Sequence, residues 1–506
     1  MSQNLFDRLE AGLADPHKTV IETAGGGRHT YADLVALSGR LAGALASLGV
    51  QPGDRVAVQV EKSVPALVLY LAVVRAGGVY LPLNTAYTLA ELAYFIGDAE
   101  PKVVVCDPAK RAGLEEIARP LGASVVTLDA KGQGSLMERA DGASPDFATV
   151  ARGSDDLAAI LYTSGTTGRS KGAMLTHDNL VSNALTLRDH WRFTADDVLI
   201  HALPIYHTHG LFVATNCVLF ANASMIFMAK FDPEAIVQAL PRATCLMGVP
   251  TFYTRLLQDP RLTPEATAHM RLFISGSAPL LAETHREWQA KTGHAILERY
   301  GMTETGMNTS NPYDGERVPG TVGFPLPGVD LRVTDPESGR VLDQGEIGVI
   351  EVRGPNVFKG YWRMPEKTAA ELRADGFFIT GDLGKIDERG YVHIVGRGKD
   401  LIITGGFNVY PKEVETEIDG LPGVVESAVI GVAHPDFGEG VTAVVVAEKG
   451  ASVSEDAILK ALEGRLAKFK LPKRVIVVED LPRNTMGKVQ KNVLRDTYGA
   501  LYAKKG

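Results

Sequence analysis

Cysteine is scarce in this sequence, and the three cysteines among its 506 residues follow no spacing typical of a metal or redox site. Cys106, Cys217 and Cys245 each lie in an apolar run, which predicts buried thiols in a reducing compartment. No apolar run approaches the ~20 residues of a membrane helix. The first residues also lack the positive start and apolar core of a secretory signal. We therefore expect a soluble, cytoplasmic protein.

Basic residues are fewer than acidic residues in this sequence. The formal net charge is −8, so the sequence predicts neither a nucleic-acid partner nor attachment to an anionic membrane. With 45% hydrophobic and 22% charged residues, a chain of this length can bury a large core. It is too long for one ordinary domain, and we expect a large N-terminal domain and a smaller C-terminal one.

Strand and helix patterns alternate through the first part of the chain. RVAVQV (55–60) precedes an apolar helical stretch, and the alternation resumes after a polar section near residues 129–155. This order is typical of an α/β domain with parallel strands. From about Gly328 the strands are separated by Gly-rich turns, which indicates an antiparallel, β-barrel-like subdomain. The predicted fold is α/β, with layered α/β subdomains in an N-terminal domain at 1–397 and a small α+β domain at 398–506.

The strongest local signal is YTSGTTGRSKG (162–172), which follows a predicted strand and precedes a predicted helix. Its backbone N–H groups and hydroxyls can surround phosphate oxygens, and its lysine adds a positive charge. It is not a Walker A loop, because Gly172 rather than Ser or Thr follows the lysine. The structural alternative is a Gly/Ser/Thr-rich connecting loop. The candidate nucleotide contacts are Thr163, Ser164, Gly165, Thr166, Thr167, Gly168 and Lys171.

This loop resembles the phosphate-loop signature of the acyl-adenylate-forming (AMP-binding) superfamily, which includes acyl-CoA synthetases, peptide-synthetase adenylation domains and beetle luciferases. Further segments resemble motifs of that family in the same order. They are PIYHTHG (204–210), SGSAP (275–279), ERYGMTET (298–305), TGDLG (380–384), GRGKDLIITGGFNVYPKEVE (396–415) and PRNTMGKVQK (482–491). The resemblance covers nearly the whole chain. It implies ATP and Mg²⁺ as cofactors and coenzyme A as co-substrate.

The roles implied by the resemblance fit the chemistry of adenylation. A carboxylate must approach an α-phosphate, so the site must supply cations and fixed dipoles. Lys488 is expected to bridge these two anions. Glu304 is expected to hold Mg²⁺, and Thr303 to contact the α-phosphate.

Nucleotide and acid recognition follow from the same resemblance. Asp382 should accept the two ribose hydroxyls, and Arg397 should reach the ribose or a phosphate. The adenine slot and the acyl site should be lined by Ser277, Ala278, Glu298, His207 and His209. For the two histidines, a hydrogen-bonded place in the core remains the alternative.

Thioester formation needs a second set of contacts, and the resemblance implies that a mobile C-terminal domain rotates between the two half-reactions. Lys399 stands at the expected hinge. Gly405 and Gly406 permit close backbone approach to the pantetheine arm of coenzyme A. No general base is indicated for the thiol. Acetylation of Lys488 by a protein lysine acetyltransferase would remove the charge that adenylation needs.

Features of the predicted acyl site favour a small dicarboxylate. Arg255 lies on a predicted helix within MGVPTFYTRL (247–256), where a buried arginine facing the site would require an anionic substrate group. The alternative is an arginine on an exposed helix face. Met307 should shorten the pocket, and Ser277 and His209 are the expected neutral partners of the distal carboxylate. The segments 204–216 and 300–328 also resemble malonyl-CoA synthetases, some of which accept methylmalonate.

Other functions stay open at this point. The first alternatives are an acyl-CoA synthetase for another short acid and a standalone amino-acid adenylation enzyme. In the latter, Asp232 of KFDPEA would bind the amino group, although Asp232 and Pro233 also form a helix start. A luciferase-like oxygenase and a non-catalytic nucleotide sensor are further alternatives. A sensor would be expected to lack Lys488 or Glu304, and both residues are present.

Overall fold

The computed structural model describes residues 2–163, 170–405, 407–463, 465–484 and 487–503. Within these ranges strands and helices alternate as the sequence pattern predicts. The strands are β1 (Thr19–Thr23), β2 (Arg28–Thr30), β3 (Arg55–Gln59), β4 (Val79–Pro82), β5 (Val103–Cys106), β6 (Ser124–Thr127), β7 (Leu157–Thr163), β8 (Lys171–Thr176), β9 (Val198–His201), β10 (Ser224–Phe227), β11 (Cys245–Gly248), β12 (Leu272–Ser275), β13 (Leu297–Met302), β14 (Gly306–Ser310), β15 (Phe324–Pro325), β16 (Asp330–Thr334), β17 (Gly348–Arg353), β18 (Gly360–Tyr361), β19 (Phe378–Ile386), β20 (Val392–Arg397), β21 (Ile402–Thr404), β22 (Phe407–Val409), β23 (Val424–His434), β24 (Gly438–Ala447) and β25 (Arg474–Val478).

The α-helices are α1 (Leu5–Ala11), α2 (Tyr31–Ser47), α3 (Val64–Arg75), α4 (Leu89–Ala99), α5 (Arg111–Ala118), α6 (Ser135–Asp141), α7 (His177–His190), α8 (Asn216–Phe220), α9 (Pro233–Ala239), α10 (Pro250–Leu257), α11 (Ala282–Thr292), α12 (Pro365–Glu371), α13 (Pro411–Asp419), α14 (Glu455–Leu462) and α15 (Lys491–Tyr498). A π-helical segment, His209–Thr215, precedes α8. None of the helices in the described ranges combines the length and the apolar character needed to cross a bilayer.

Helix starts follow the capping residues seen in the sequence. Thr176 caps α7 in a capping box, as predicted. Asp232 accepts hydrogen bonds from Glu234 N at 3.0 Å and Ala235 N at 3.2 Å at the start of α9. This exposed carboxylate is fully explained by its capping role. The cap therefore removes the main argument for an amino-acid substrate.

Two large sheets form the N-terminal domain. One has the strand order β15-β14-β13-β12-β11-β9-β10-β1-β2, and the other β18-β8-β7-β4-β3-β5-β6. Their central strands are parallel. The outer strands pair antiparallel, except that the edge strand β6 pairs parallel with β5. Parallel strands need crossover connections, which the helices provide. One hydrophobic cluster joins the two sheets and includes residues of both, such as Ala158 of β7 and Leu246 of β11.

Two smaller sheets complete the described chain. The order β16-β17-β19-β20 forms an antiparallel sheet. Strands β21 to β25 form a mixed sheet, in which β25 is parallel to β24, with its own core around Val414, Val429 and Val445. The predicted mixed α/β architecture is confirmed. The expected barrel-like subdomain is an open sheet, because its edge strands β16 and β20 do not pair with each other in the described strand order. The predicted domain boundary at 397/398 falls between β20 and β21 and stays a prediction.

Candidate functional site

The candidate site lies where parallel strands of the larger sheet end. The chain leaving β9 carries His207, the chain leaving β12 carries Ser277, and Arg299 lies near the end of β13. The carboxyl ends of parallel strands meet at one edge of a sheet, where α/β proteins bind ligands. Lys488 lies near enough to this edge for its charge to lower the pKa of His207. The structure thus brings these distant motifs together.

Asp382 and Arg397 face each other on the paired strands β19 and β20. Arg397 Nε lies 2.7 Å from Asp382 Oδ1, and the Tyr300 hydroxyl donates to Asp382 Oδ2 at 2.5 Å. The buried charge of Asp382 raises the pKa of Arg397. A carboxylate has about four acceptor sites, so lone pairs remain for hydroxyl donors. This arrangement can bind the two hydroxyls of a ribose.

Glu304 lies at the turn between β13 and β14, where burial raises its pKa. The Tyr361 hydroxyl lies 3.0 Å from Glu304 Oε1 and 2.7 Å from Glu371 Oε2, and the Lys171 ammonium lies 4.2 Å from the centroid of the Tyr361 ring. Among the described residues, no group of three His, Cys, Asp or Glu side chains could hold a metal ion. A single carboxylate suits Mg²⁺, which takes its other ligands from phosphates and water. The residues therefore fit a Mg²⁺ ion that binds together with ATP.

Only the two ends of the predicted phosphate loop fall within the described ranges. Thr163 at the end of β7 pairs with Lys171 at the start of β8. The candidate contacts Ser164, Gly165, Thr166, Thr167 and Gly168 lie outside the described residues. The predicted helix with Thr176 as its N-cap is present as α7, but a strand that the sequence pattern did not indicate lies between it and the loop. KGAMLT forms strand β8, because its apolar residues pair with the buried strand β7, and α7 begins only at His177.

Ser277 and Ala278 follow β12, and Glu298 lies on the neighbouring strand β13. Ser277 has a φ of 72°, a left-handed conformation that is uncommon for serine and often occurs at functional sites. Glu298 accepts from Leu280 N at 3.2 Å, and its other carboxyl oxygen has no partner in the described structure. Burial raises the pKa of Glu298 to about 8. A protonated carboxyl can donate as well as accept, which suits the adenine slot predicted here.

Lys488 approaches the ribose corner from the C-terminal residues. Its side chain keeps contact with solvent, but enough protein surrounds the ammonium that burial lowers its pKa. The charge of Arg397 also lowers the pKa of Lys488, whereas the charge of Asp382 raises it. The ammonium is therefore close both to the ribose corner and to His207. Such a position allows it to face two anions at once.

His207 and His209 share the chain that leaves β9. His207 Nδ1 accepts from His209 N at 3.2 Å, and the Ser277 hydroxyl lies 3.2 Å from His209 Nδ1. Burial lowers the pKa of both rings, that of His207 to about 4, so both are neutral near pH 7. His209 Nε2 is buried and has no partner among the described residues. A neutral polar atom thus remains for a substrate oxygen.

Sequence patterns do not single out Arg299, which the structure places beside these histidines. The side chain is 3% exposed, and its Nε and Nη2 have no hydrogen-bond partner in the described chain. It packs on the backbone of Gly276, where an added methyl group would lie 2.3 Å from Arg299 Cζ. Burial lowers the pKa of Arg299 to about 9. The available signal was the pair of adjacent charged residues, Glu298 and Arg299, inside the buried strand LERYGM.

A bound anion would stabilise the unpaired guanidinium of Arg299 in this position. Burying an ion without a partner opposes folding by several kcal/mol. The charge of Arg299 also contributes to the low pKa of His207 and of His209. A carboxylate bound here would satisfy the free N–H groups of Arg299 and could accept from neutral imidazoles.

Arg255 does not lie beside Arg299 and the two histidines. It is exposed on α10, its Cζ is 5.9 Å from the centroid of the Phe231 ring, and it lines a cleft of about 830 Å³ shared with C-terminal residues such as Leu481. Tyr253 and Leu256 occupy the inward face of this helix. The expected burial of Arg255 is therefore wrong, and its substrate role stays a prediction.

Met307 is buried on β14, and its contacts are with the neighbouring strand. A methyl group added to Gly301 would lie 2.5 Å from Met307 Cε, so the thioether packs directly on that glycine. Thr303, at the turn between these two strands, lines a small cavity together with Thr208 and Asn356. The predicted roles of Met307 in pocket length and of Thr303 in phosphate contact remain predictions.

Lys399 lies in a short 3₁₀ turn, Gly398–Asp400, at the predicted hinge. Burial lowers its pKa to about 8, with further lowering by neighbouring cations that include Lys488. Asp400, the next residue, pairs with Arg495 of α15 at 2.6 Å.

The segment predicted to guide the thiol follows this turn. Gly405 has a φ of 57°, and its N–H donates to Phe437 O at 2.8 Å. Gly406 lies outside the described residues. Phe407 is 55% exposed and stacks on Phe469 with a centroid separation of 4.7 Å. In this conformation the segment presents an apolar ring to solvent.

Comparisons with known proteins identify the family of this chain. Residues 10–362 match the family model of AMP-binding enzymes, and residues 413–488 match the model of the AMP-binding enzyme C-terminal domain. A feruloyl-CoA synthase from Amycolatopsis sp is 37% identical over 96% of both chains. A mitochondrial malonate–CoA ligase from Bos taurus is 35% identical over 94% of this chain and 87% of its own.

The structure of ATP-bound MatB from Rhodopseudomonas palustris is 74% identical, with a TM-score of 0.98 over 99% of this chain and 100% of that one. The apo structure of the same protein gives a TM-score of 0.87 at the same identity and coverage. The present conformation is therefore the one that resembles the ATP-bound structure. The matched family models, the shared architecture and the clustered site residues show that this chain belongs to the family of AMP-binding enzymes.

Proposed function

We propose that this chain ligates malonate to coenzyme A and converts ATP to AMP and pyrophosphate. A carboxylate oxygen of malonate attacks the α-phosphorus, the bond to pyrophosphate breaks, and malonyl-adenylate forms. The sulfur of coenzyme A then attacks the acyl carbon, AMP leaves with the bridging oxygen, and the thiol proton passes to solvent. Family membership and the malonate–CoA ligases among the relatives support this reaction class.

The choice of acid depends mainly on one observation, the buried guanidinium of Arg299. Malonate keeps a second carboxylate after its first has reacted, and that group can pair with Arg299. His209 and the Ser277 hydroxyl supply neutral partners beside it. Acetate or an aromatic acid such as ferulate would leave the guanidinium buried without a counter-ion. Methylmalonate keeps the second carboxylate and is proposed as an alternative substrate.

In the first half-reaction, Lys488 stands between the attacking carboxylate and the α-phosphate and reduces their repulsion. Asp382 and Arg397 hold the ribose, and Thr303 contacts the α-phosphate. Glu304 holds Mg²⁺, which neutralises phosphate charge when it is bound with ATP. The resemblance of this conformation to the ATP-bound relative supports its assignment to adenylation.

In the second half-reaction, the C-terminal domain rotates about Lys399. Lys488 leaves the site, and Gly405 and Gly406 approach the pantetheine arm. The exposed ring of Phe407 supports this assignment, because an apolar surface in this segment becomes useful once a ligand or another domain covers it.

Regulation by acetylation of Lys488 belongs to the same proposal. Its side chain is accessible to solvent, as a lysine acetyltransferase requires. Acetylation removes the positive charge. Adenylation by acetylated and unmodified protein should therefore differ by about 100-fold or more, and equal rates would reject this regulation. The cytoplasm is the proposed compartment, since it supplies ATP and coenzyme A and keeps the three buried cysteines reduced.

The decisive experiment measures AMP release with coenzyme A for malonate, methylmalonate, succinate, acetate and ferulate. We expect kcat/KM for malonate to exceed that for acetate by about 100-fold or more, as for a site built round a charged group. Comparable values for malonate and acetate, or a preference for ferulate, would reject malonate as the substrate. Acid-dependent pyrophosphate exchange without coenzyme A separates the first half-reaction from the second.

A further inference from the structure

Lys62, which follows β3, makes three hydrogen bonds to the chain that leaves β9. Its ammonium lies 2.9 Å from His201 Nδ1, 2.8 Å from the His201 carbonyl oxygen and 2.8 Å from the Leu203 carbonyl oxygen. It also lies 4.3 Å from the centroid of the Phe227 ring. These three acceptors use all three N–H donors of an ammonium. Lys62 thus holds the His201 ring and the backbone of His201 and Leu203 in place.

His201 extends this contact to the far end of the loop. Burial keeps the His201 ring neutral by lowering its pKa. The Gly210 carbonyl oxygen beside Nε2 can only accept, so the ring proton is assigned to Nε2 and Nδ1 is left to accept from Lys62. Nε2 lies 2.9 Å from the Gly210 carbonyl oxygen, which also accepts from the Thr215 hydroxyl at 2.9 Å. A methyl group on Gly210 would lie 2.1 Å from the Pro204 carbonyl oxygen, so Gly210 also packs directly on the backbone of Pro204.

This closed loop, residues 201–210, carries His207 and His209. It continues into the π-helical segment His209–Thr215, and such segments are rare and frequently occur at functional sites. We propose that Lys62 is a positioning residue, which acts through His201 to fix the loop and thereby the two histidines that receive the acid. The identity of that acid, malonate, rests on the proposed function.

The test compares Lys62→Met with Lys110→Met. Methionine keeps an unbranched side chain but removes the three donors. Lys110 is a matched control, because it is also partly buried and donates to Gln59 Oε1 at 3.1 Å and Thr85 O at 2.7 Å. We expect Lys62→Met to lower kcat/KM for malonate by about 10- to 100-fold, since small misplacements of substrate-positioning groups have effects of this size. The KM for ATP should change by less than about twofold in both variants.

A second pair of variants separates positioning from general destabilisation. Glutamine at position 201 can keep an acceptor and a donor, whereas leucine keeps neither. His201→Gln should therefore retain more malonate activity than His201→Leu, and equal losses would contradict the proposal. The same pair decides the question if Lys62→Met fails to fold. Parallel increases in KM for malonate and ATP in Lys62→Met would also overturn the proposed role.

Amide hydrogen exchange supplies a readout that does not require the carboxylic acid substrate. Peptides covering residues 202–215 should exchange faster in Lys62→Met than in Lys110→Met, while peptides from the C-terminal sheet should be unchanged. Unaltered exchange in 202–215 would overturn the proposal. Failure of the unmodified protein to use malonate would instead reject the proposed function and leave this comparison intact.

Discussion

Replacement of Arg299 by methionine should stabilise the protein in the absence of substrate. Burial lowers the pKa of Arg299 to about 9, and each unit of lowering corresponds to about 1.4 kcal/mol against the charged form. The charged arginine therefore opposes folding at pH 7 by about 4–5 kcal/mol. Methionine removes this charge and keeps apolar contact, although its packing will be imperfect. We expect the free energy of unfolding to rise by about 1–4 kcal/mol.

The same replacement should remove most of the activity toward malonate. Loss of one partner from a buried charged pair costs about 2–5 kcal/mol, which corresponds to about 30- to 4,000-fold in kcat/KM. Acetate has no second carboxylate, so its kcat/KM should change by less than about threefold. The ratio of kcat/KM for malonate to kcat/KM for acetate therefore tests the proposed role of Arg299.

Coupled AMP release measures both acids, and thermal unfolding with an ATP analogue provides a second readout. Malonate should raise the Tm of the unmodified protein and leave that of Arg299→Met unchanged. Arg255→Met is the matched control, because Arg255 is exposed on α10. Equal losses with malonate and acetate in Arg299→Met would refute the reasoning. A malonate-selective loss confined to Arg255→Met would restore the interpretation suggested by the sequence.

Four further outcomes test the nucleotide contacts and the predicted hinge. Lys488→Met should lower malonate-dependent pyrophosphate release by about 10²- to 10³-fold, and thioester formation from supplied malonyl-adenylate should persist. Since burial lowers the pKa of Lys488 and adenylation needs the charged form, kcat/KM for ATP should fall as pH rises through that lowered pKa. Identical alkaline profiles in the unmodified protein and Lys488→Arg would contradict this assignment. Asp382→Asn should raise the KM for ATP by about tenfold or more and reduce the free energy of unfolding by about 3–5 kcal/mol, because Arg397 loses its buried counter-ion; an unchanged KM would reject the ribose role. Lys399→Pro, which fixes φ at the predicted hinge, should slow thioester formation by about tenfold or more and leave adenylation within about threefold. Equal slowing of both steps would count against a hinge there.

Much of the fold could be predicted from local patterns. Buried parallel strands appear as short apolar runs, and residues such as Thr176 and Asp232 mark helix starts by satisfying free N–H groups. The strand after the phosphate loop was missed. KGAMLT is too short and too mixed in polarity to distinguish a hairpin strand from the start of a helix.

The acyl site was harder to predict because it depends on long-range packing. Successive residues of a helix are about 100° apart, so a small rotation of α10 decides whether Arg255 faces the site or the solvent. Arg299 is buried because β13 is paired on both sides, by β12 and β14. No local pattern contains that information. In the proposed function, the argument that a buried arginine needs an anionic partner applies to Arg299 instead of Arg255.

The ion pairs that flank Lys399 determine which contacts survive a change of domain orientation. Arg397, two residues before it, is tied to Asp382 of the N-terminal domain, and Asp400, one residue after it, is tied to Arg495 of the C-terminal domain. Torsional freedom is therefore concentrated in the three peptide units between Arg397 and Asp400. A reorientation there would leave the ribose attached to its carboxylate, so the activated acid would remain bound while the surface above it is exchanged. If the domain rotates about Lys399 as proposed, the placement of these two salt bridges would retain the acyl-adenylate between the two steps.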